Sequence, residues 1–154
     1  MTRRFVKPAN ALSAGVSYLK SMVTANASPS GMPVALSAEL SAFCNLRCPE
    51  CASGSGLMTR ERGYMNIDLY RKLISETGPF IYQLNLYFQG EPMLHPDFFS
   101  FLTRSGNYRL IVSTNGHFLS EEKVAILASS CLTEIIVSLD GMDRATYSDY
   151  RRGG

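Results

Sequence analysis

The sequence predicts an α/β domain built on a parallel sheet, and three observations carry that prediction. Short apolar runs centred on Leu86, Val112 and Val137 recur 26 and 25 residues apart. Each run hands over to a small polar turn containing glycine, and each turn leads into a segment with helix-start signals. Strands alternating with helices at this interval are the pattern of β/α units, whose strands pair in parallel. Nearly continuous apolar strands suit a sheet covered by helices on at least one face. The chain of 154 residues, 45% apolar and 18% charged, is long and apolar enough for one folded domain with a core.

Residues 1–32 read as an amino-terminal helix and linker. The basic start at Arg3 and Arg4, a half-apolar stretch and Ala25-Asn26-Ala27 imitate an export signal. Asn10, Ser13, Ser17 and Lys20 interrupt what would be its apolar core. Leu12, Val16, Leu19 and Val23 fall instead on one helical stripe, which favours an amphipathic helix packed on the domain over a cleaved signal. Ala27 to Pro33 reads as a linker, and 33–154 as the main domain.

Pro33 to Ala42 alternates apolar residues with others and reads as the first strand, running into a cysteine-rich loop. The Gly- and Ser-rich stretch from Ala52 to Gly63 reads as a mobile loop. Asn66 caps a helix with Ile67, Leu69, Leu73 and Ile74 on its buried side, and Gly78-Pro79 stops it. Ile81 to Phe88 is a strand ending in Gln89-Gly90-Glu91-Pro92. Pro96 then opens a helix through Phe98, Phe101 and Leu102. Arg109 to Val112 is a strand ending in Ser113-Thr114-Asn115-Gly116, followed by a helix capped by Ser120 with Val124, Leu127 and Ala128 inward. Glu134 to Val137 is a strand ending in Ser138-Leu139-Asp140-Gly141, and Asp143 caps a last helix bearing Tyr147 and Tyr150. Ligands in parallel α/β folds bind at the carboxyl ends of strands, so the cysteine loop and three polar turns should share one rim.

A formal charge of +2, dispersed along the chain, argues against nucleic acid as a partner. No apolar run approaches the ~20 residues of a membrane-spanning helix. Four cysteines without the spread of a disulfide framework fit a reducing, cytoplasmic setting.

Three of those cysteines lie within eight residues, Cys44-Asn45-Leu46-Arg47-Cys48-Pro49-Glu50-Cys51. Thiolates at this density ask for a soft metal or an iron–sulfur cluster. A tetrahedral zinc site normally takes four ligands in two separated pairs, and no second pair follows. A cubane cluster on three thiolates leaves one iron open for another ligand. A zinc module completed by His95 or Cys131 stays as the alternative, as does a catalytically inactive fragment. Cys131 otherwise reads as a small packed residue.

Cys44-x3-Cys48-x2-Cys51 resembles the signature of the radical S-adenosylmethionine (radical SAM) superfamily, and the resemblance runs from about Pro33 to Gly154. It implies a [4Fe-4S] cluster on Cys44, Cys48 and Cys51, with the amino and carboxylate groups of SAM on the fourth iron. It implies cleavage of SAM to a 5'-deoxyadenosyl radical, with an electron from a reductant such as flavodoxin or ferredoxin. The fold it implies is a partial (βα) barrel, TIM-like and three-quarters closed, with about four of six β/α units present here. The chain then reads as the amino-terminal part of a larger enzyme. Gly90-Glu91-Pro92 matches the second half of the family's Gly-Gly-Glu-Pro motif, which contacts the methionyl amino group; Gln89 stands in place of the first glycine. Ser113, Asn115, Ser138 and Asp140 fall where the family contacts SAM, although turns use these residue types in any case. Glu50 replaces the aromatic residue common before the third cysteine. The layout resembles the peptide- and small-molecule-modifying branch associated with SPASM domains. Substrate and outcome are set elsewhere.

Overall fold

The structure is a computed structural model and describes residues 5–103 and 106–153. One sheet contains β1 (Ala35–Ser37), β2 (Gln83–Asn85), β3 (Arg109–Thr114) and β4 (Glu134–Val137), all parallel and in chain order. A sheet laid down without a reversal of order is singly wound, as barrels are, and differs from the doubly wound sheets of dinucleotide-binding folds. The parallel α/β reading therefore holds, with a sheet that is an open arc of four strands.

Register explains which face is buried. Leu36, Leu84 and Leu110 stand in one row across β1, β2 and β3. Leu84, Leu86, Leu110 and Val112 are fully buried and pack with Tyr70, Ile74, Phe98, Phe101 and Leu127. Each such side chain contributes about 1.5–3 kcal/mol on burial. The other face carries a polar row instead. Gln83 Nε2 donates to Asn85 Oδ1 at 2.9 Å, and Asn85 Nδ2 donates to Ser37 Oγ at 3.1 Å. The first two strands thus alternate, where continuous apolar runs would have been buried on both faces.

Four α-helices accompany the strands among the described residues: α1 (Val6–Thr24), α2 (Ile67–Thr77), α3 (Glu121–Ser129) and α4 (Arg144–Tyr150). Their starts follow the capping residues. Asn66 Oδ1 accepts from the amides of Asp68 and Leu69, and Ser120 Oγ accepts from Lys123 N. Asp143 and Thr146 form a reciprocal capping box. Tyr70 rather than Leu69 faces the core from α2, because Leu69 is 59% exposed. On α3 only Leu127 is buried.

The helix expected from Pro96 is replaced by two 3-10 turns, Pro92–Leu94 and Phe98–Phe101. Pro96 has no N–H, and the Asp97 N–H donates to His95 Nδ1, so two α-helical bonds are unavailable. The remaining amides close shorter i→i−3 bonds, such as His95 N to Pro92 O and Phe98 N to His95 O.

The expected apolar stripe of α1 faces outward: Leu12, Val16, Leu19 and Val23 are all more than half exposed. Polar residues attach this helix. Asn10 exchanges two bonds with the Met32 backbone at 2.9 and 2.7 Å, and Ser17 Oγ donates to Ser30 O. Lys7 donates to Asn107 O and lies over the Tyr82 ring. The stretch from Ala52 to Gly63 is pinned rather than loose: Arg60 bridges both oxygens of Glu39, and Arg62 Nη2 donates to Ser53 O. No helix among the described residues is long and apolar enough to cross a membrane.

Candidate metal centre

Two close backbone approaches shape the cysteine loop. Gly90 has φ +72°, and a Cβ there would stand 2.2 Å from Ser41 O and 2.8 Å from Phe43 O. Only glycine fits both demands. The turn after β2 therefore docks on the backbone leading into Cys44, and Glu91 N donates to Phe43 O at 2.7 Å. Gly54 plays the same part inside the loop, where a Cβ would meet Cys48 N at 2.6 Å. Cys51 N and Ser55 N close turns on Cys48 O and Cys51 O.

Cys44, Cys48 and Cys51 then line one cavity of about 90 Å³ together with Leu46, Gly54, Gly90, Glu91, Ser113, Thr114, Asn115, Ser138 and Arg151. All three cysteines carry free thiols. Each sulfur has a polar neighbour. Leu46 N and Asn115 Nδ2 approach Cys44 Sγ at 3.4 and 3.9 Å, and Arg151 Nη1 approaches Cys48 Sγ at 3.7 Å. Cys51 Sγ lies 3.8 Å from Gln89 Oε1. Burial pushes the Cys44 thiol pKa up; the Leu46 amide opposes this, while the Glu91 carboxylate and the other two cysteines add to it. Cys44 is thus held as a thiol until a metal displaces its proton.

Glu91 is 2% exposed, and its carboxylate accepts three hydrogen bonds. Oε1 accepts from Met93 N at 3.1 Å and Thr114 Oγ1 at 2.7 Å, and Oε2 accepts from Asn115 N at 2.8 Å. This one side chain caps the first 3-10 turn and ties the end of β3 to the turn after β2. Arg151 follows the carboxyl end of α4. Its guanidinium spans Asp140 on one side and Cys48 on the other. Burial lowers its pKa, and the contacts with Asp140 and Cys48 more than offset that, so the cation is held firmly.

The cavity gathers Gly90, Glu91, Ser113, Asn115 and Ser138 from the three polar turns, as their place at strand ends requires. Asp140 is not among its lining residues and pairs with Arg151 instead. Arg47 is exposed, and its amide donates to Arg152 O. Sequence reasoning missed Thr114, Gln89 in its contact with Cys51, and Arg151. The last lies 103 residues from Cys48, so no local pattern announces it.

The donor set suits a cluster better than a zinc ion. Among the described residues no three Cys, His, Asp or Glu side chains close on a single ion, whereas three thiols stand around one cavity. A cluster with separate corner irons takes its thiolates from separated points. Neither candidate for a fourth zinc ligand is available. His95 bonds Met65 O through Nε2 at 2.9 Å and Asp97 N through Nδ1 at 3.0 Å. Cys131 Sγ is spent on Leu102 O at 2.7 Å.

The family model of the radical SAM superfamily matches residues 39–154, which contain the cysteine loop and the three polar turns behind it. The chain belongs to the radical SAM superfamily. Enzymes of this superfamily use a [4Fe-4S] cluster and S-adenosylmethionine. The chain is 30% identical over 116 residues to an AdoMet-dependent heme synthase of Methanosarcina barkeri, covering 73% of this chain and 33% of that protein. It is 33% identical over 130 residues to a PqqA peptide cyclase of Rhodopseudomonas palustris, covering 80% and 33% respectively. The crystal structure of BtrN in complex with AdoMet and 2-DOIA superposes with a TM-score of 0.63 at 26% identity, covering 70% of this chain and 46% of BtrN. The chain thus spans about a third of the length of these curated relatives.

Proposed function

We propose that this chain is the cluster-bearing part of a radical SAM enzyme, with Cys44, Cys48 and Cys51 holding a [4Fe-4S] cluster and SAM on the fourth iron. The observation that carries the reading is a cavity lined by three thiols and by strand-end polar groups, with neither His95 nor Cys131 among its lining residues. When bound, the cluster would supply one electron to the SAM sulfonium, breaking its S–C5' bond to give methionine and a 5'-deoxyadenosyl radical; that electron would come from a low-potential protein such as flavodoxin or ferredoxin.

The chain's own residues divide the work of seating SAM by charge. Arg151 is the one cation among the cavity's lining residues and suits a carboxylate; Glu91 is the one carboxylate and suits an ammonium. Ser113, Asn115 and Ser138 offer hydroxyl and amide groups for the rest of the ligand. Asp140 serves by orienting Arg151. Gly90 serves by seating the loop that carries the cysteines.

A peptide is the substrate class favoured, on the strength of the relative named a PqqA peptide cyclase. The heme synthase also matches over this segment under a different product name, which fits a shared cofactor chemistry. The test is electron paramagnetic resonance of the anaerobically reconstituted, reduced chain before and after adding SAM. A SAM-dependent change in the cluster signal is expected. A signal that ignores excess SAM would remove the open iron from the account.

A further inference from the structure

We infer that Gln89 is a positioning residue for the third cysteine, presenting an amide N–H to the ionised Cys51 sulfur and thereby raising the reduction potential of the cluster that sulfur ligates. The inference deepens the function proposed above and rests on it. Gln89 stands where the resembled motif has glycine, which has no side chain to make such a contact.

The geometry around Gln89 is tightly held. Its side-chain amide lies 3.8 Å from Cys51 Sγ and 3.3 Å from Ser53 Oγ. Its own backbone N–H donates to Glu39 Oε2 at 3.1 Å, and Glu39 is in turn held by Arg60. The next amide, of Gly90, donates to Ser53 Oγ at 3.1 Å. Ser53 is 5% exposed, and its hydroxyl is held between the Gln89 side chain and the Gly90 amide.

The same site satisfies both states of the cysteine. In the thiol state Cys51 donates its S–H to Gln89 Oε1. A ligating thiolate has no proton and only accepts. A half-turn about the terminal amide torsion, which is broadly two-fold, exchanges Oε1 for Nε2 without moving the side chain. The two protons on Nε2 then serve Cys51 Sγ and Ser53 Oγ, and the serine's second lone pair keeps the Gly90 amide. In this second arrangement Ser53 gives up Oε1 as the acceptor of its own hydroxyl proton.

Hydrogen bonds to cluster sulfurs withdraw charge and favour the reduced member of the couple. That couple is a one-electron exchange with an external reductant; no bond breaks and no proton moves. Cys44 has Leu46 N and Asn115 Nδ2, and Cys48 has Arg151, so Gln89 completes a set in which every ligating sulfur has an N–H neighbour.

The test compares the anaerobically reconstituted chain with Gln89→Gly, Gln89→Met and Ser53→Ala. Iron and sulfide are quantified first, circular dichroism checks the fold, and midpoint potentials are read by resonance-monitored titration with titanium(III) citrate. Methionine keeps the side-chain length without the donor, which separates a lost hydrogen bond from a lost fold. Potentials shifted negative in both Gln89 variants, and by less in Ser53→Ala, are expected at unchanged iron and sulfide. Unchanged potentials with intact clusters would overturn the inference alone. A wild-type chain without iron and sulfide would overturn the proposed function and the inference with it.

Discussion

Glu91 joins the two walls of the cavity. Its three donors come from the turn after β2 and from the end of β3, so its removal should loosen the apoprotein as well as any ligand contact. Glu91→Gln places an NH₂ against a donor and leaves buried groups mismatched. A loss of about 1–3 kcal/mol in urea denaturation of the metal-free chain is expected. Stability equal to wild type would mean that the carboxylate serves the ligand alone. Cys44 gives a second residue-scale expectation. A raised pKa leaves less thiolate at any given pH, so its alkylation by iodoacetamide near pH 8 should lag behind a free cysteine and catch up only in more alkaline buffer. Peptide mass spectrometry over a pH series reads this directly; a Cys44 rate matching free cysteine would contradict it. Five of the six non-cysteine residues expected at the site line the cavity, because each sits at the end of a strand whose period shows locally. Asp140 lies outside that lining and pairs with Arg151, which follows the far end of the next helix and leaves no mark in the local pattern.

Caps made the helices legible, and tertiary context decided the rest. Asn66 with Gly78-Pro79 bounds α2 as the sequence implies, since its stop and start are local hydrogen-bond chemistry. β3 runs two residues longer than its apolar core, because Ser113 and Thr114 pair with Ile136 and Val137 of β4. That pairing is long-range and leaves no mark in the local pattern. The stripe on α1 shows the limit of periodicity most clearly: it reveals a face and not what the face meets. Leu19 is 62% exposed and Leu84 fully buried, so equal truncations should part sharply. Leu19→Ala is expected within about 0.5 kcal/mol of wild type, and Leu84→Ala to cost about 2–5 kcal/mol. Comparable losses from the two in thermal unfolding would show α1 packed by its apolar stripe after all.

At the scale of the molecule, a singly wound parallel sheet explains why one chain region can carry a cofactor site at all. Strands in chain order deliver every turn to the same rim, and each turn adds one part of the cavity wall. The regular spacing of the strands made this arrangement readable before any coordinate. The polar row of Ser37, Gln83 and Asn85 was not, because the strands read as nearly continuous apolar runs, whereas Gln83 and Asn85 alternate with Leu84 and Leu86. β4 ends the sheet among the described residues, and Ile135, Ile136 and Val137 are each between 37% and 40% exposed. Side chains on both faces of this strand are thus partly open, as expected of an edge. In the proposed function the three cysteines hold an iron–sulfur cluster whose fourth iron takes no protein ligand. Iron, acid-labile sulfide and zinc content after anaerobic purification, with Cys48→Ala alongside, tests it most directly. About four irons and four sulfides per chain, lost in the variant, are predicted; one zinc without sulfide would contradict the account and restore the structural metal module.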